Sequence, residues 1–243
     1  MRISGGDGRK LLNALELVVS KDQAPVVEID NRKVTDTIQQ NLAYYDKQGE
    51  MHYDIISAFI KSMRGSDPNG AVYWLARMIA GGEDPLFIAR RMLIFASEDI
   101  SNANPNALLL ANACFEAVSK IGYPECRINL SQCAVYLACS AKSNATYMAL
   151  NNAEAAIRRT GDLPVPLHIR NAPTKLMKNL GYGDGYKYAH DFSGGNPALG
   201  GFAEQEYLPQ GLEGSKFYDP GNTPRENDTR TSLRTRWGQK YGY

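Results

Sequence analysis

The chain has 243 residues, 43% of them apolar and 22% charged, with a formal net charge of +1. That apolar content suffices for a sizeable core, while the near-neutral balance provides no global attraction to nucleic acid or acidic ligands. No run of about eighteen apolar residues occurs and MRISGGDGRK has no apolar signal core, so a membrane span is excluded and a cytoplasmic location is expected. Cys114, Cys126, Cys133 and Cys139 form no CxxC pair and have no histidine at metal-site spacing. They read as reduced core thiols, and no metal site is expected.

In chain order, Leu11, Leu12, Leu15 and Val18 or Val19 after a Gly-rich lead-in predict a first helix. Arg9 falls in its first turn; taken alone, it is a solvated surface arginine. Residues 24–29 (APVVEI) suggest a short strand, followed by a polar helix to about Tyr45. From Glu50 to about Thr160 the pattern is helical almost throughout. Asp67-Pro68 and Asp84-Pro85 each predict a helix restart. Proline loses nothing at the first helical position, and the Asp before it accepts from the free backbone donors that follow. Helices are expected over 51–64, 68–80, 85–102, 105–121, from Tyr123-Pro124 to about Cys139, and from a Ser143 cap to Arg159. Links of two to five residues between them predict antiparallel neighbours in an all-α bundle.

After Gly161 the character changes. Leu163 to Arg170 is predicted extended because of Pro164 and Pro166, and a short helix, TKLMKNL, is stopped by Gly181. Turn chemistry follows, and Arg225–Tyr243 predicts one weak basic helix. A tail this irregular is expected to wrap a neighbour or to be partly disordered.

Three constellations carry candidate chemistry. Arg90 and Arg91 lie two helical turns from Glu98 and Asp99, too far for a direct pair; the pattern reads as salt bridging to neighbouring helices, and a paired-carboxylate acid/base site would need a pocket and a raised carboxyl pKa. Lys142, His168, Arg170, Lys175, Lys178 and Lys187 accompany Tyr182, Tyr186 and Tyr188. Such residues neutralise phosphates and stack unpaired bases, but they also suit a subunit interface or a plain surface. The third is the tail itself, where Arg225, Arg230, Arg234, Arg236 and Lys240 outnumber Glu226 and Asp228 beside Trp237; it reads as a solvated end or a DNA-contacting arm. No GxxxxGK[ST] occurs, and the isolated His52, His168 and His190 support no nucleophile signature.

YDIISAFIKSMRGSDPNGAVYWLARMI, EDPLFIARRMLIFASEDI, SAKSNATYMA and PVPLHIRNAPTKLMKNLGYGDGYKYAHD resemble the C-terminal half of the replication-associated recombination protein A family of AAA+ ATPases. GGDGRK resembles the sensor 2 region of the helical lid, so that Arg9 would be the arginine approaching the nucleotide phosphates in the full-length protein. The resemblance implies a truncated protein that keeps the end of the lid (1–48), a helical oligomerisation domain (49–190) and an irregular C-terminal extension (191–243). Without Walker motifs or an arginine finger it would be no enzyme alone and hold no cofactor; ATP and Mg belong to the full-length ATPase. The family implies a homotetramer acting at stalled replication forks, in the cytoplasm or at the nucleoid. Single-stranded or forked DNA and single-strand binding protein are the partners it suggests, and no membrane.

On this reading Lys142, Arg170, Lys175, Lys178 and Lys187 are the nucleic-acid candidates. Tyr73, Trp74, Arg90, Arg91, Tyr182, Tyr186 and Tyr188 are the interface candidates. Two departures stand out: Ser140-Ala141 replaces the family's usual Ala-Pro, and Gly8 its Ala. The resemblance does not extend past about Pro220. The alternative is a free-standing helical enzyme using Glu98 and Asp99 with Arg90 or Arg91, or a nucleic-acid-binding module.

Overall fold

A computed structural model of the chain describes residues 50–192 and 201–243, together with 12, 15–16, 18–20 and 28–34. The pieces at 12, 15–16, 18–20 and 31–34 are helical, and 28–30 have no regular structure. Arg9, Ala24 to Val27 and the rest of the polar helix to Tyr45 lie outside the described residues. Every regular element among the described residues is helical, so the fold is all-α. The chain divides into two compact units: one runs to Ala96 and resumes over Asn106–Ser140, the other takes Ser97–Pro105 and Ala141–Tyr243.

In the first unit, α1 (Glu50–Arg64), α2 (Pro68–Ala80) and α3 (Pro85–Phe95) are separated by the two Asp-Pro restarts. The Asp67 carboxylate accepts from the amides of Asn69 and Gly70, both at 3.0 Å, and Asp84 from Leu86 at 3.0 Å. Both prolines sit in the first turn of their helices, where no donor is lost. The apolar stripes face inward: Ile55, Ile56, Phe59 and Met63 of α1, Ala71, Leu75 and Met78 of α2, Ile88, Ala89, Met92 and Phe95 of α3 are buried.

The helix predicted over 85–102 ends at Phe95 and continues as a π turn (Ala96–Ile100) and a 3-10 turn (Ser101–Ala103). Phe95 is buried in the first unit, and Ile100 and Ala103 are buried in the second, so the winding changes where the chain passes from one unit to the other.

α4 (Asn106–Ile121) and α5 (Cys126–Cys139) complete the first unit. A cis Tyr123-Pro124 bond lies in the turn between them, and α5 starts at Cys126 rather than at Pro124. α5 contacts α1, α2, α3 and α4, with Leu130, Ala134, Leu137 and Ala138 fully buried. A helix surrounded in this way carries no single apolar stripe, which is why its sequence shows none.

The second unit holds α6 (Ala145–Thr160), α7 (Lys175–Asn179) and α8 (Pro224–Tyr241), joined by largely irregular chain. Gly181, Gly183 and Gly185 take φ of 80°, 77° and 74°, which explains why glycine alternates with Tyr and Asp there. Ser101 and Thr146 share a hydroxyl hydrogen bond of 2.6 Å, and the Ser143 amide donates to the Asp99 carbonyl at 2.8 Å. The basic helix expected at the end forms as α8. Thr223 caps it, accepting from the Glu226 amide, while the Glu226 side chain accepts from the hydroxyls of Thr223 (2.9 Å) and Ser143 (2.6 Å). Glu226 is only 1% exposed. Side-chain contacts of this kind, together with the packing of α8 on the Ser101–Ala103 turn, hold 201–243 to its own unit.

Candidate functional site

The first unit presents an open apolar groove of about 620 Å³ between α2 and α5, lined by Val72, Leu75, Ala76, Ile79, Arg127 and Ile128 among others. Ile128 is 65% exposed there. Tyr73, on the neighbouring position of α2, is exposed and meets Trp74 edge-on at 5.1 Å, with the Arg77 guanidinium 5.5 Å from the Trp74 ring. Arg90 is exposed on α3, while Arg91 is half-buried and its Nε has no hydrogen-bond partner among the described residues. Glu98 and Asp99 belong to the second unit, are half-buried, and have partners of their own. The groove is therefore lined by residues that sequence reasoning did not select; the half-apolar stripe of α2 (Val72, Ile79) was its only signal.

The basic and tyrosine-rich segment lies in the second unit, and the structure sorts its residues into two groups. Arg170 is tied into the fold: its Nε donates to the Val165 carbonyl at 2.6 Å, its Nη1 to the Tyr182 hydroxyl at 3.1 Å, and the guanidinium lies 5.0 Å from that ring's centre. Lys187 is similarly engaged, its Nζ donating to the Glu204 carbonyl at 3.0 Å while its backbone is clasped by the Gln205 amide. Lys142 is half-buried with a partner of its own. Lys175 and Lys178, by contrast, are exposed on one turn of α7, and Tyr186 and Tyr188 are exposed in the loop that follows. His168 hydrogen-bonds the Glu206 carbonyl at 2.7 Å through Nε2.

The tail cations are largely held as well. Arg230 pairs with Asp219 at 2.7 Å, and Arg234 donates to the Tyr243 carbonyl at 2.8 Å. Lys240 pairs with Glu206 at 2.8 Å and stacks 5.2 Å from Trp237 and 5.0 Å from Tyr241. Burial pushes the Glu206 carboxyl up, but the hydrogen bonds from Lys240 and from the Leu208 and Tyr207 amides outweigh it and hold the group below its ordinary value.

The glycines at 181–185 lead into a three-residue 3-10 turn at Ala189–Asp191 rather than into a helix whose N-terminus would face phosphate. The first free amides of α2 and α3 donate to the carboxylates of Asp67 and Asp84, and the Glu226 amide of α8 donates to the Thr223 hydroxyl. No described helix is long and apolar enough to cross a membrane.

Comparison with known proteins adds the context that geometry alone does not supply. Residues 65–237 match the family model described as MgsA AAA+ ATPase C terminal, and residues 1–64 match the one described as AAA C-terminal domain. The chain is 47% identical to an uncharacterized protein of Thermotoga maritima, covering 100% of this chain and 38% of that protein. It is 44% identical to replication-associated recombination protein A of Coxiella burnetii, covering 96% of this chain and 52% of that one. ATPase WRNIP1 of Dictyostelium discoideum is 37% identical over 89% of this chain and 26% of its own length. The chain thus spans about half, or less, of the relatives it matches. With a single family model running through both units from Gly65 to Trp237, the chain belongs to the C-terminal region of the MgsA family of AAA+ ATPases.

Proposed function

We propose that this chain is the oligomerisation and DNA- or partner-contacting portion of an AAA+ ATPase that acts in replication-associated recombination. The observation that carries the reading is the unbroken succession of an AAA C-terminal match and an MgsA C-terminal match along residues 1–237. The names of the relatives from Coxiella burnetii and Dictyostelium discoideum support the process and the parent activity. In this reading ATP and Mg bind in the full-length ATPase, Arg9 serves there as the sensor 2 arginine, and the chain by itself hydrolyses nothing because it has no Walker motif. Residues 1–48 are then the end of the lid, 49–190 the oligomerisation domain and 191–243 the extension. The protein works in the cytoplasm, at the nucleoid.

The assembly part is a homotetramer, for which the apolar groove between α2 and α5 and the exposed Tyr73 offer surface. Light scattering on the 243-residue chain is expected to give four times the monomer mass of 26.8 kDa. A clean monomer at high micromolar concentration would sink this part.

The DNA part rests on Lys175 and Lys178 with Tyr186 and Tyr188, the exposed members of the basic segment. Single-stranded or forked DNA is the substrate class, and single-strand binding protein a partner of the same process. The double variant Lys175→Glu and Lys178→Glu is expected to bind single-stranded oligonucleotide at least about tenfold more weakly, with its salt dependence shallower by about two. Because neither lysine supports the fold, unchanged affinity in a folded variant would eliminate this surface. Arg170→Glu is the wrong test, since it would also release Val165 and Tyr182.

A further inference from the structure

We propose that Cys114 and Cys133 form an oxidisable dithiol, a modification site that a small hydroperoxide converts to a disulfide joining α4 to α5. The two residues lie on the neighbouring helices α4 and α5, and both stand in the wall of one small cavity. Cys114 Sγ donates to the Asn129 carbonyl at 3.4 Å, one turn before Cys133 on α5. The Cys114 thiol is thus held against the turn of α5 that leads to Cys133.

Ala111, one turn before Cys114, and Ala134, next to Cys133, are fully buried small residues on the two helices, which pack against each other. The pair is also reachable. A cavity of about 110 Å³, lined by Leu110, Ala113, Ala117, Asn129 and Gln132, has both Cys114 and Cys133 in its wall. Its size admits hydrogen peroxide and excludes a tripeptide disulfide. Cys114 retains 6% exposure, against 1% for Cys133 and none for Cys126.

Accessibility assigns the order of events. Cys114 is the more exposed of the two and is the sulfur a peroxide in the cavity meets first, so it is the attacking sulfur. The lowering of the Cys114 thiol by its neighbour Cys133, and the raising of Cys126 by burial, agree with this order. The Cys114 thiolate attacks one peroxide oxygen, forming an S–O bond and breaking the O–O bond; the departing hydroxide and the thiol proton make one water. The Cys133 sulfur then attacks the sulfenic sulfur, forming S–S and breaking S–O, and the hydroxyl leaves with the Cys133 proton as a second water. Two thiols are oxidised and one peroxide is reduced to two waters.

The test uses the 243-residue chain carrying Cys139→Ser, so that the tryptic peptide from Ile128 to Lys142 contains a single cysteine. After native treatment with hydrogen peroxide, alkylation and digestion without reduction, mass spectrometry is expected to find that peptide joined to the one from Met92 to Lys120, two hydrogens lighter than their sum. Glutathione disulfide at the same concentration is expected to give no such product. Adding Cys133→Ser removes the resolving thiol, and Cys114 is then expected to advance to the sulfinic acid, read as a gain of two oxygens. Recovery of both cysteines fully alkylated from a chain whose helical circular dichroism is intact would overturn the proposal. Linkage through Cys126, or an unmodified Cys114 in the Cys133→Ser variant, would do the same. Equal cross-linking by glutathione disulfide would overturn access through this cavity.

Discussion

Replacing Glu226 by Ala is expected to destabilise the second unit by about 3 kcal/mol, lowering its thermal midpoint by about 6–12 °C. The side chain is 1% exposed and accepts hydroxyl hydrogen bonds from Ser143 and Thr223, at 2.6 and 2.9 Å. Ser143 Oγ in turn accepts from the Ala145 amide at 3.3 Å, so one carboxyl group connects the start of α6 to the start of α8. Truncation leaves two hydroxyls without their acceptor in a site that excludes water, which costs more than the bonds themselves are worth. Ser143→Ala removes only one donor and is expected to cost about 1 kcal/mol. Gly221→Ala should approach the loss seen for Glu226→Ala. A Cβ there would lie 2.5 Å from Glu226 Oε2 and 3.0 Å from Ser143 Oγ. Circular dichroism melts of the three variants check the ranking, and a Glu226→Ala midpoint within a degree of the parent would refute it.

Replacing Phe59 by Ala is expected to cost the first unit about 4 kcal/mol, the range for emptying a ring-sized space in a packed core. Phe59 is fully buried on α1, which packs against α2, α3 and α5. Because α5 touches each of those helices, a void under α1 has little room to collapse without displacing the central helix. Phe59→Leu retains most of the volume and should cost only about 1–1.5 kcal/mol. Urea unfolding followed by helical ellipticity measures both. The expected signature is a lowered midpoint with unchanged slope, since the surface exposed on unfolding is nearly the same. A Phe59→Ala midpoint close to that of Phe59→Leu would mean that the cavity closes, against the packing described.

The parts of this fold that were readable in the chain are those fixed within a turn or two. Asp67-Pro68 and Asp84-Pro85 restart helices because cap and proline act on neighbouring amides, and the α2 stripe of Ala71, Leu75 and Met78 needs only helical periodicity. What was not readable depends on distant partners. The passage from α through π to 3-10 winding at Phe95–Ala103 coincides with the chain's crossing between units, which no local propensity encodes. Thr223 and Glu226 have the spacing of a capping box, yet the carboxyl is turned toward Ser143, 83 residues away, and that contact decides its burial. The candidate surface shows the same division. Composition counts the cations between Arg170 and Lys187, but only the fold reveals that Arg170 is spent on the Val165 carbonyl and Lys187 on that of Glu204, leaving Lys175 and Lys178 outward.

The alternation of Ala96, Ser97–Pro105, Asn106–Ser140 and Ala141 between the two units has a practical consequence for dissecting the protein. No single cut frees either unit. Ending an expression fragment at Ser140 would strip Ser97–Pro105 of the chain that receives it, including the Ser143 amide on Asp99 and the Thr146 hydroxyl on Ser101. Starting one at Ala141 would leave behind a nine-residue piece that belongs with it. The border between the two family models, after Arg64, is no better a place to cut, because it separates α1 from α2 within one packed unit. Fragments meant to fold must therefore carry all three crossings, and a protease that nicks only one of them should leave two pieces that still travel together.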